Sequence, residues 1–335
     1  MVRFYVVPFL ALSYVAFAGN IGTPALYATL PLLAVCFAIC DIAFGATPPV
    51  AVSDGDSFGA HLVPWLYIPL QIAVTISGAV AAAHPDSGLT TIIGLALAIG
   101  TVAGIFGMLA AHEMIHSPRP LERAWGLVML ASTTYMHFRL SHIRTHHRLA
   151  GTMADPATAR RDESAYHFVL RSVIGQFRAA CEGERERPFA TNRVYRYIAI
   201  SAALYLAIVI AWGFKAVIFF ALQSIVAVFI LEIFNYVVHY GLQRRILPNG
   251  RPEPFSVAHS WNASPCFTNW ALMNGGHHSD HHRRPTHAYP RLSRDADAPE
   301  LPLGYAGTMA MALVPPLWRA VMHPRLDRMA AREAW

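Results

Sequence analysis

Six apolar stretches constrain this chain more than any other feature. They cover Phe4–Ala18, Pro24–Phe44, Leu62–Ala83, Thr90–Ala111, Tyr197–Ile210 and Ala216–Val238. A helix needs about 20 apolar residues to cross the hydrocarbon core of a bilayer. Inside that core, only helices and closed barrels satisfy every backbone N–H and C=O group. The first and fifth stretches fall short of this length. The pattern nevertheless predicts an all-α integral membrane protein with about six transmembrane helices.

The distribution of charge supports this interpretation. Only 14% of the residues are charged, against roughly a quarter in soluble domains. The net charge of +6 could indicate nucleic-acid binding, but 13 of the 26 basic residues lie between Ser117 and Arg196 and another 11 between Gly241 and Trp335. Basic residues collect in cytoplasmic loops. We therefore expect residues 112–196 and 239–335 to form a cytoplasmic helical cap on a single membrane domain of residues 1–335, with no nucleic-acid partner.

Two apolar segments have alternative interpretations. Arg3, the apolar run after it and Ala16-Phe17-Ala18 could form a signal peptide with a small-residue cleavage site. Its removal would leave five spans with the same loops inside. Leu303–Met322 is also apolar but contains Pro315, Pro316 and Arg319. We expect that segment to lie at the membrane interface rather than to cross.

The fourth apolar stretch contains Gly100 and Gly104 at GxxxG spacing. Small residues at this spacing let two helix backbones approach closely in lipid. We interpret the pair as an ordinary helix-packing contact.

Histidines are concentrated where the spans should reach the cytoplasm. Four segments carry them: HEMIH (His112–His116), HFRLSHIRTHH (His137–His147), NYVVHYG (Asn235–Gly241) and NGGHHSDHHRRPTH (Asn274–His287). Histidines at i and i+4 share a helix face and can reach one metal. His112 and His116 have this spacing, and so do His142 and His146. His147 should then point about 100° away. His278, His281 and His282 stand at i, i+3 and i+4, and His277 should point elsewhere.

Metal binding accounts for this number of imidazoles. On a basic surface they would repel one another if protonated, whereas a metal keeps them neutral. Imidazole suits zinc, copper, iron and nickel. A zinc protease needs HExxH and one further ligand, which leaves six or more histidines unexplained. Eight or nine imidazoles are enough for two metals, and two redox metals beside a hydrocarbon phase suggest oxygen activation.

Together these motifs point to a known family. HEMIH, HFRLSHIRTHH followed by ADPATAR, NYVVHYG, and HSWNASPCFTNW leading into HHSDHH resemble the membrane-bound alkane 1-monooxygenases and xylene monooxygenases. Those enzymes belong to the wider fatty-acid-desaturase-like group of integral-membrane non-haem diiron enzymes. The resemblance implies two non-haem iron ions (Fe2+/Fe3+), O2 as co-substrate and a multi-pass protein of the bacterial inner-membrane type, with its metal site on the cytoplasmic side. The implied iron ligands, which would also be the catalytic residues, are His112, His116, His142, His146, His147, His239, His278, His281 and His282.

The same resemblance implies supporting residues around the ligands. Glu113 and Asp280 are expected to accept a hydrogen bond from the second nitrogen of a ligating imidazole. His137 and His259 match family positions outside the ligand set, where we expect supporting or structural roles.

The implied function is O2-dependent hydroxylation of an apolar hydrocarbon, either an alkane or an alkyl side chain. The chain has no GxGxxG after a strand and no cysteine set for an iron–sulfur or rubredoxin site. Electrons would therefore come from rubredoxin or ferredoxin with an NAD(P)H reductase, and the Arg-rich face would suit an acidic carrier. One alternative is an acyl-lipid desaturase or hydroxylase that uses the same irons. Another is a non-catalytic metal-binding or transport protein, although transport favours ionisable residues inside the spans, and these spans have almost none.

Overall fold

The computed structural model describes residues 3–48 and 58–333. Within those ranges the chain is helical, with three isolated β-bridges and no strand, so the prediction of an all-α fold is confirmed for this part. The α-helices are α1 (Arg3–Ile21), α2 (Thr23–Phe44), α3 (Phe58–Ala83), α4 (Leu89–Val102), α5 (Met108–His116), α6 (Pro120–Ala131), α7 (Phe138–Ser141), α8 (His147–Leu149), α9 (Ala165–Glu184), α10 (Arg193–His239), α11 (Cys266–Ala271), α12 (His278–Arg283), α13 (Tyr305–Ala312) and α14 (Pro315–Glu333).

Four helical stretches in the described ranges are long and apolar enough to cross a membrane. They are Thr23–Phe44, His61–Ala83, Leu89–His116 and Arg193–His239, and α1 contains a shorter apolar helix, Val6–Ile21. The first three coincide with the second, third and fourth predicted stretches. The last two predicted stretches both fall within α10.

Helix α10 doubles back at Gly213. That residue has φ 79° and ψ −175°, outside the helical region, and glycine adopts a positive φ without steric cost. The rings of Tyr205 and Phe220 are 5.3 Å apart, although fifteen residues of straight helix would separate them by roughly 22 Å. On the α3–α4 turn, Lys215 Nζ donates to three backbone carbonyls at 2.9–3.3 Å. The 47-residue helix is therefore a hairpin of two apolar segments, with its bend beside that turn.

Gly100 and Gly104 mediate close helix packing. A Cβ at Gly100 would lie 2.7 Å from the carbonyl oxygen of Gln223, and one at Gly104 would lie 2.9 Å from that of Ala227. Such distances are too short for any side chain. The second half of α10 therefore packs directly on α4 and on the turn that follows it, and the packing interpretation of this pair is confirmed.

The two ambiguous apolar segments have different surroundings. Helix α1 contributes buried side chains such as Leu12 and Val15, and its Phe4 ring meets that of Tyr289 at 5.0 Å. The segment Leu303–Met322 is divided between α13, which ends at Ala312, and α14, which begins at Pro315. No single helix runs through it, in agreement with the expectation that it does not cross the membrane.

Two π-helical turns interrupt the helices near the histidines. In Ala103–Gly107 the N–H of Met108 donates to the carbonyl of Ala103, and in His142–His146 the N–H of His147 donates to the carbonyl of His142. Each bond spans five residues instead of four, so each turn holds one extra residue. The residues after each turn are rotated relative to an uninterrupted α-helix.

Candidate metal centre

The structure brings all nine candidate histidines together in two adjacent clusters. Within each cluster, every histidine contributes one ring nitrogen, and these nitrogens lie within 4.8 Å of one another. The five-histidine cluster contains His112, His116, His142, His147 and His281, and the four-histidine cluster contains His146, His239, His278 and His282.

The spacing of the nitrogens fits metal coordination. In the five-histidine cluster the Nε2 atoms of His116, His142 and His147 are 3.0–3.1 Å apart. Two imidazole nitrogens bound at right angles about 2.1 Å from one metal ion would be separated by about 3.0 Å. A ring nitrogen is either a donor or an acceptor, so three nitrogens in a triangle cannot all be hydrogen-bonded to one another. At least one contact is repulsive unless a cation sits between them.

The four-histidine cluster has a similar geometry. The Nε2 atom of His278 is 3.2 Å from those of both His239 and His282. The His146 ring lies 4.7 Å from that of His239 and 4.8 Å from that of His282, measured between centroids. These residues come from the last turn of α10, the π-helical turn and α12.

The rings of His142 and His146 stack at 5.2 Å, as their i, i+4 spacing predicts, but the two residues belong to different clusters and do not share one candidate metal site. In the π-helical turn, residues five apart share a face, which places His142 with His147 in the five-histidine cluster. His146 then turns towards the four-histidine cluster. Helix α12 divides its histidines similarly, because His278 and His282 join one cluster while His281 joins the other. A single short segment thus serves both candidate sites.

Asp155 fixes the orientation of His146. Its Oδ2 accepts from His146 Nδ1 at 2.8 Å and from Thr158 Oγ1 at 2.7 Å, while Oδ1 accepts from the N–H of Ala157 at 3.1 Å. Since a carboxylate only accepts, Nδ1 carries the proton and Nε2 keeps its lone pair. That Nε2 is buried and has no hydrogen-bond partner among the described residues. An orphaned acceptor beside three other imidazoles is what a metal site requires.

The sequence-based assignment of orienting acids was wrong. Glu113 accepts from the backbone N–H of Tyr289 at 3.1 Å. Asp280 binds the guanidinium of Arg284 and the N–H of Ser293. Neither carboxylate forms a hydrogen bond with a clustered imidazole among the described residues. Asp155 takes that role for His146, and it was missed even though it lies in the quoted ADPATAR motif.

Burial favours the neutral imidazoles that metals bind. Loss of solvent, reinforced by neighbouring imidazoles, holds the pKa values of His278, His281 and His282 well below the usual 6.5. The same causes lower the pKa values of His142 and His147. Their lone pairs are therefore available near neutral pH.

Three further histidines lie outside both clusters, as predicted. His277 stands at the N-cap of α12, and burial lowers its pKa to about 4. The ring of His137 packs against Tyr135 at 4.6 Å and Phe177 at 5.2 Å. His259 hydrogen-bonds through Nδ1 to the N–H of Ser256 at 2.9 Å. Their contacts fit structural roles.

The clusters lie between an apolar and a polar cleft. The apolar cleft holds about 860 Å³ of empty space, including the part that is open to solvent, and it reaches His112, His142, His278 and His281. A second apolar cleft of about 1310 Å³ adjoins it and extends to α2. The shared wall consists of Ile105, Ile230, Leu272 and Met309.

The polar cleft reaches the five-histidine cluster from another direction. It holds about 750 Å³ of empty space, including the part that is open to solvent, and it touches His116. Charged groups line it, including Arg119, Glu122 and Arg291. The candidate metal centre is thus accessible both to an apolar chain and to a polar species.

Comparison with known proteins identifies the family. The sequence model of the fatty acid desaturase family matches residues 88–311. Alkane 1-monooxygenase 2 of Alcanivorax borkumensis is 38% identical over 72% of this chain, a match that spans 65% of the relative's length. Alkane 1-monooxygenase 1 of Pseudomonas aeruginosa is 37% identical over 79% of this chain and 72% of its own length. The xylene/toluene monooxygenase hydroxylase component of Pseudomonas putida is 25% identical over 79% of this chain and 73% of its own length. The family match and the relatives above 30% identity show that the chain belongs to the fatty acid desaturase family, in the group of the alkane 1-monooxygenases.

Proposed function

We propose that the protein is an O2-dependent monooxygenase that hydroxylates an apolar hydrocarbon, an alkane or an alkyl side chain, at two non-haem irons. The observation that carries this proposal is the pair of imidazole clusters at the end of an apolar cleft. Relatives named alkane 1-monooxygenase and xylene/toluene monooxygenase support the reaction class.

The nine clustered histidines are the proposed iron ligands. Imidazole is a suitable ligand for iron, and the orphaned Nε2 of His146 fits a bound cation. Iron bound there would supply the activation of O2, which no side chain can perform. The hydrogen bond from His146 to Asp155 keeps that imidazole in the tautomer that can bind metal.

The apolar cleft positions the substrate. Among its lining residues, Leu231, Phe234 and Met273 present side chains without hydrogen-bonding groups. A hydrocarbon gains little from leaving lipid tails, which are as apolar as these side chains. The selectivity of the cleft must therefore come from its shape, which brings one end of the bound hydrocarbon towards His112 and His142. Its apolar walls also exclude water from the reacting carbon.

The topology that fits this function has six spans. The proposed spans are the apolar parts of α1, α2, α3, the continuous α4–α5 stretch and the two halves of α10. The hairpin at Gly213 and the concentration of basic residues in 112–196 and 239–335 support it. Both segments would then form the cytoplasmic cap of one domain, with the metal centre at the inner face of a bacterial-type membrane.

Electrons are proposed to come from rubredoxin or ferredoxin with an NAD(P)H reductase. The polar cleft beside His116 carries Arg119 and Arg291. A positive surface attracts an acidic carrier over a Debye length of about 8–10 Å. Raising the salt concentration should therefore slow turnover, mainly by raising the KM for the carrier and less by lowering kcat.

Purified protein provides the test. We expect about two irons per chain, since nine imidazoles exceed what one ion can bind. With a donor, its reductase and ¹⁸O2, a linear alkane should give an alcohol that carries ¹⁸O. Protein that is active with one zinc and no iron would refute the diiron assignment. An alkene free of ¹⁸O would instead favour desaturation, the reaction after which the matched family is named.

A further inference from the structure

A polar side chain interrupts the wall of the apolar cleft on α10. Asn235 lines the cleft beside Leu231 and Phe234, and only 4% of its surface is exposed. It lies four residues before His239, on the segment that approaches the metal centre. An amide in so apolar a wall needs an explanation, because a buried polar group without a partner is costly.

A buried carboxylate sets the orientation of this amide. Glu232 Oε1 accepts from Tyr135 Oη at 3.0 Å, from Gln176 Nε2 at 2.9 Å and from Asn235 Nδ2 at 3.4 Å. Three donors thus converge on one oxygen. The amide nitrogen of Asn235 must face Glu232, because an oxygen there would oppose another acceptor. Its Oδ1 therefore points away from Glu232.

This Oδ1 is an available acceptor. No residue in the described ranges donates a hydrogen bond to it. The oxygen is also not fully buried, unlike the unpartnered oxygens of Gln223 and Glu232 nearby on α10. Since Asn235 lines the cleft, its Oδ1 is within reach of a hydrocarbon chain bound there. An alkane cannot use an acceptor there. A chain with a hydroxyl group can.

We propose that Asn235 Oδ1 accepts a hydrogen bond from the hydroxyl group of a primary alcohol bound in the apolar cleft. The inference rests on the proposed function, in which an alcohol forms at the end of this cleft. Asn235 would then retain the product, and the cleft would also admit hydroxylated chains as ligands. One net hydrogen bond of this kind strengthens binding about two- to tenfold.

The test compares three probes of similar length: dodecan-1-ol, dodecane and methyl undecyl ether. The ether carries oxygen but has no O–H to donate. Each probe competes with a fluorescently labelled hydrocarbon for binding to the purified protein in nanodiscs. The protein keeps its bound metal, and O2 and reductant are left out. Affinities are corrected for partition into empty nanodiscs. For the native chain we expect the alcohol to bind about two- to tenfold more tightly than either other probe.

Two variants separate polarity from shape. Asn235→Leu removes the acceptor and should abolish the advantage of the alcohol while leaving dodecane affinity within about twofold. Phe234→Leu widens the cleft at the same wall without changing the polarity of that wall. It should therefore change the affinities for all three probes by a similar factor.

The outcomes distinguish this inference from the proposed function. Equal affinity of the native chain for alcohol and ether would overturn the role of Asn235, whether or not the variant folds. An alcohol advantage that survives in Asn235→Leu would do the same. If the alcohol advantage depends on Asn235 but the reconstituted protein oxidises no hydrocarbon, the function proposal fails and the recognition of alcohols stands.

Discussion

Replacing Asp155 with asparagine should weaken one candidate metal site and spare the other. Asp155 now offers two acceptor oxygens: one to His146 Nδ1 and Thr158 Oγ1, the other to the N–H of Ala157. Asparagine supplies one acceptor and one donor. If its oxygen stays with Ala157, its NH2 faces His146 Nδ1, which must then lose its proton. The proton moves to Nε2, the atom directed at the four-histidine cluster, and the imidazole can no longer bind metal there.

The magnitude follows from the hydrogen bond that is lost. A hydrogen bond to a charged group contributes about 1.5–3 kcal/mol, which corresponds to roughly ten- to hundredfold in an equilibrium constant. Loss of a group that supports a metal ligand has a similar effect. We expect the affinity of the four-histidine site for Fe2+ to fall by that factor. The five-histidine site should be unchanged, because His146 does not belong to it.

Anaerobic titration with Fe2+ measures both sites in one experiment. The native chain should show two tight sites, and Asp155→Asn one tight and one weakened site. The control is Thr158→Val, which removes a donor to the same carboxylate oxygen but leaves the His146 bond, and it should retain two tight sites. Two sites of native affinity in Asp155→Asn would refute the tautomer argument. Equal weakening of both sites would show that Asp155 supports the loop rather than one ligand.

Three further outcomes are expected. His281→Ala should lose the metal of the five-histidine cluster and all turnover, whereas His277→Ala, outside both clusters, should keep both metals. Equal metal loss in the two variants would contradict this assignment. Gly104→Ala should destabilise the protein by about 1–3 kcal/mol through overpacking, measured by denaturation in detergent, while Gly19→Ala, where a Cβ meets nothing within 4 Å, should not. Although burial opposes it, hydrogen bonds from arginine lower the pKa of Glu184 from 4.5 to about 2. A depressed pKa gives stability that is present above pH 4.5 and lost as pH falls towards 2. The stability difference between the native chain and Glu184→Gln should therefore shrink across that window, and a constant difference would refute the assignment.

The sequence by itself predicted which parts of the chain are apolar enough to cross a membrane, and it predicted part of the histidine grouping. Long runs such as Thr90–Ala111 must become helices, because lipid offers no partners for backbone groups. The i, i+4 spacing of His112 and His116 is set by one helix, so their shared cluster could be predicted from it. For a regular α-helix such as α5, local periodicity is sufficient for this prediction.

Tertiary structure decided how the ligands are divided. A π-helical turn has no distinct sequence signature, so the pairing of His142 with His147 rather than His146 became visible only in the fold. The reversal at Gly213 is different, because the gap between the predicted stretches Tyr197–Ile210 and Ala216–Val238 already indicated a turn there.

The supporting contacts also depend on the fold. Asp155 reaches His146 because the chain after α8 folds back. Glu113 instead accepts from Tyr289, far along the chain, and Asp280 binds Arg284 on the next helical turn. The orientation of Asn235 depends on Glu232, whose other donors come from α9 and the loop before α7. Sequence spacing predicts which residues share one face of a regular α-helix. Which faces meet across helices is determined by packing, and packing depends on all the helices together.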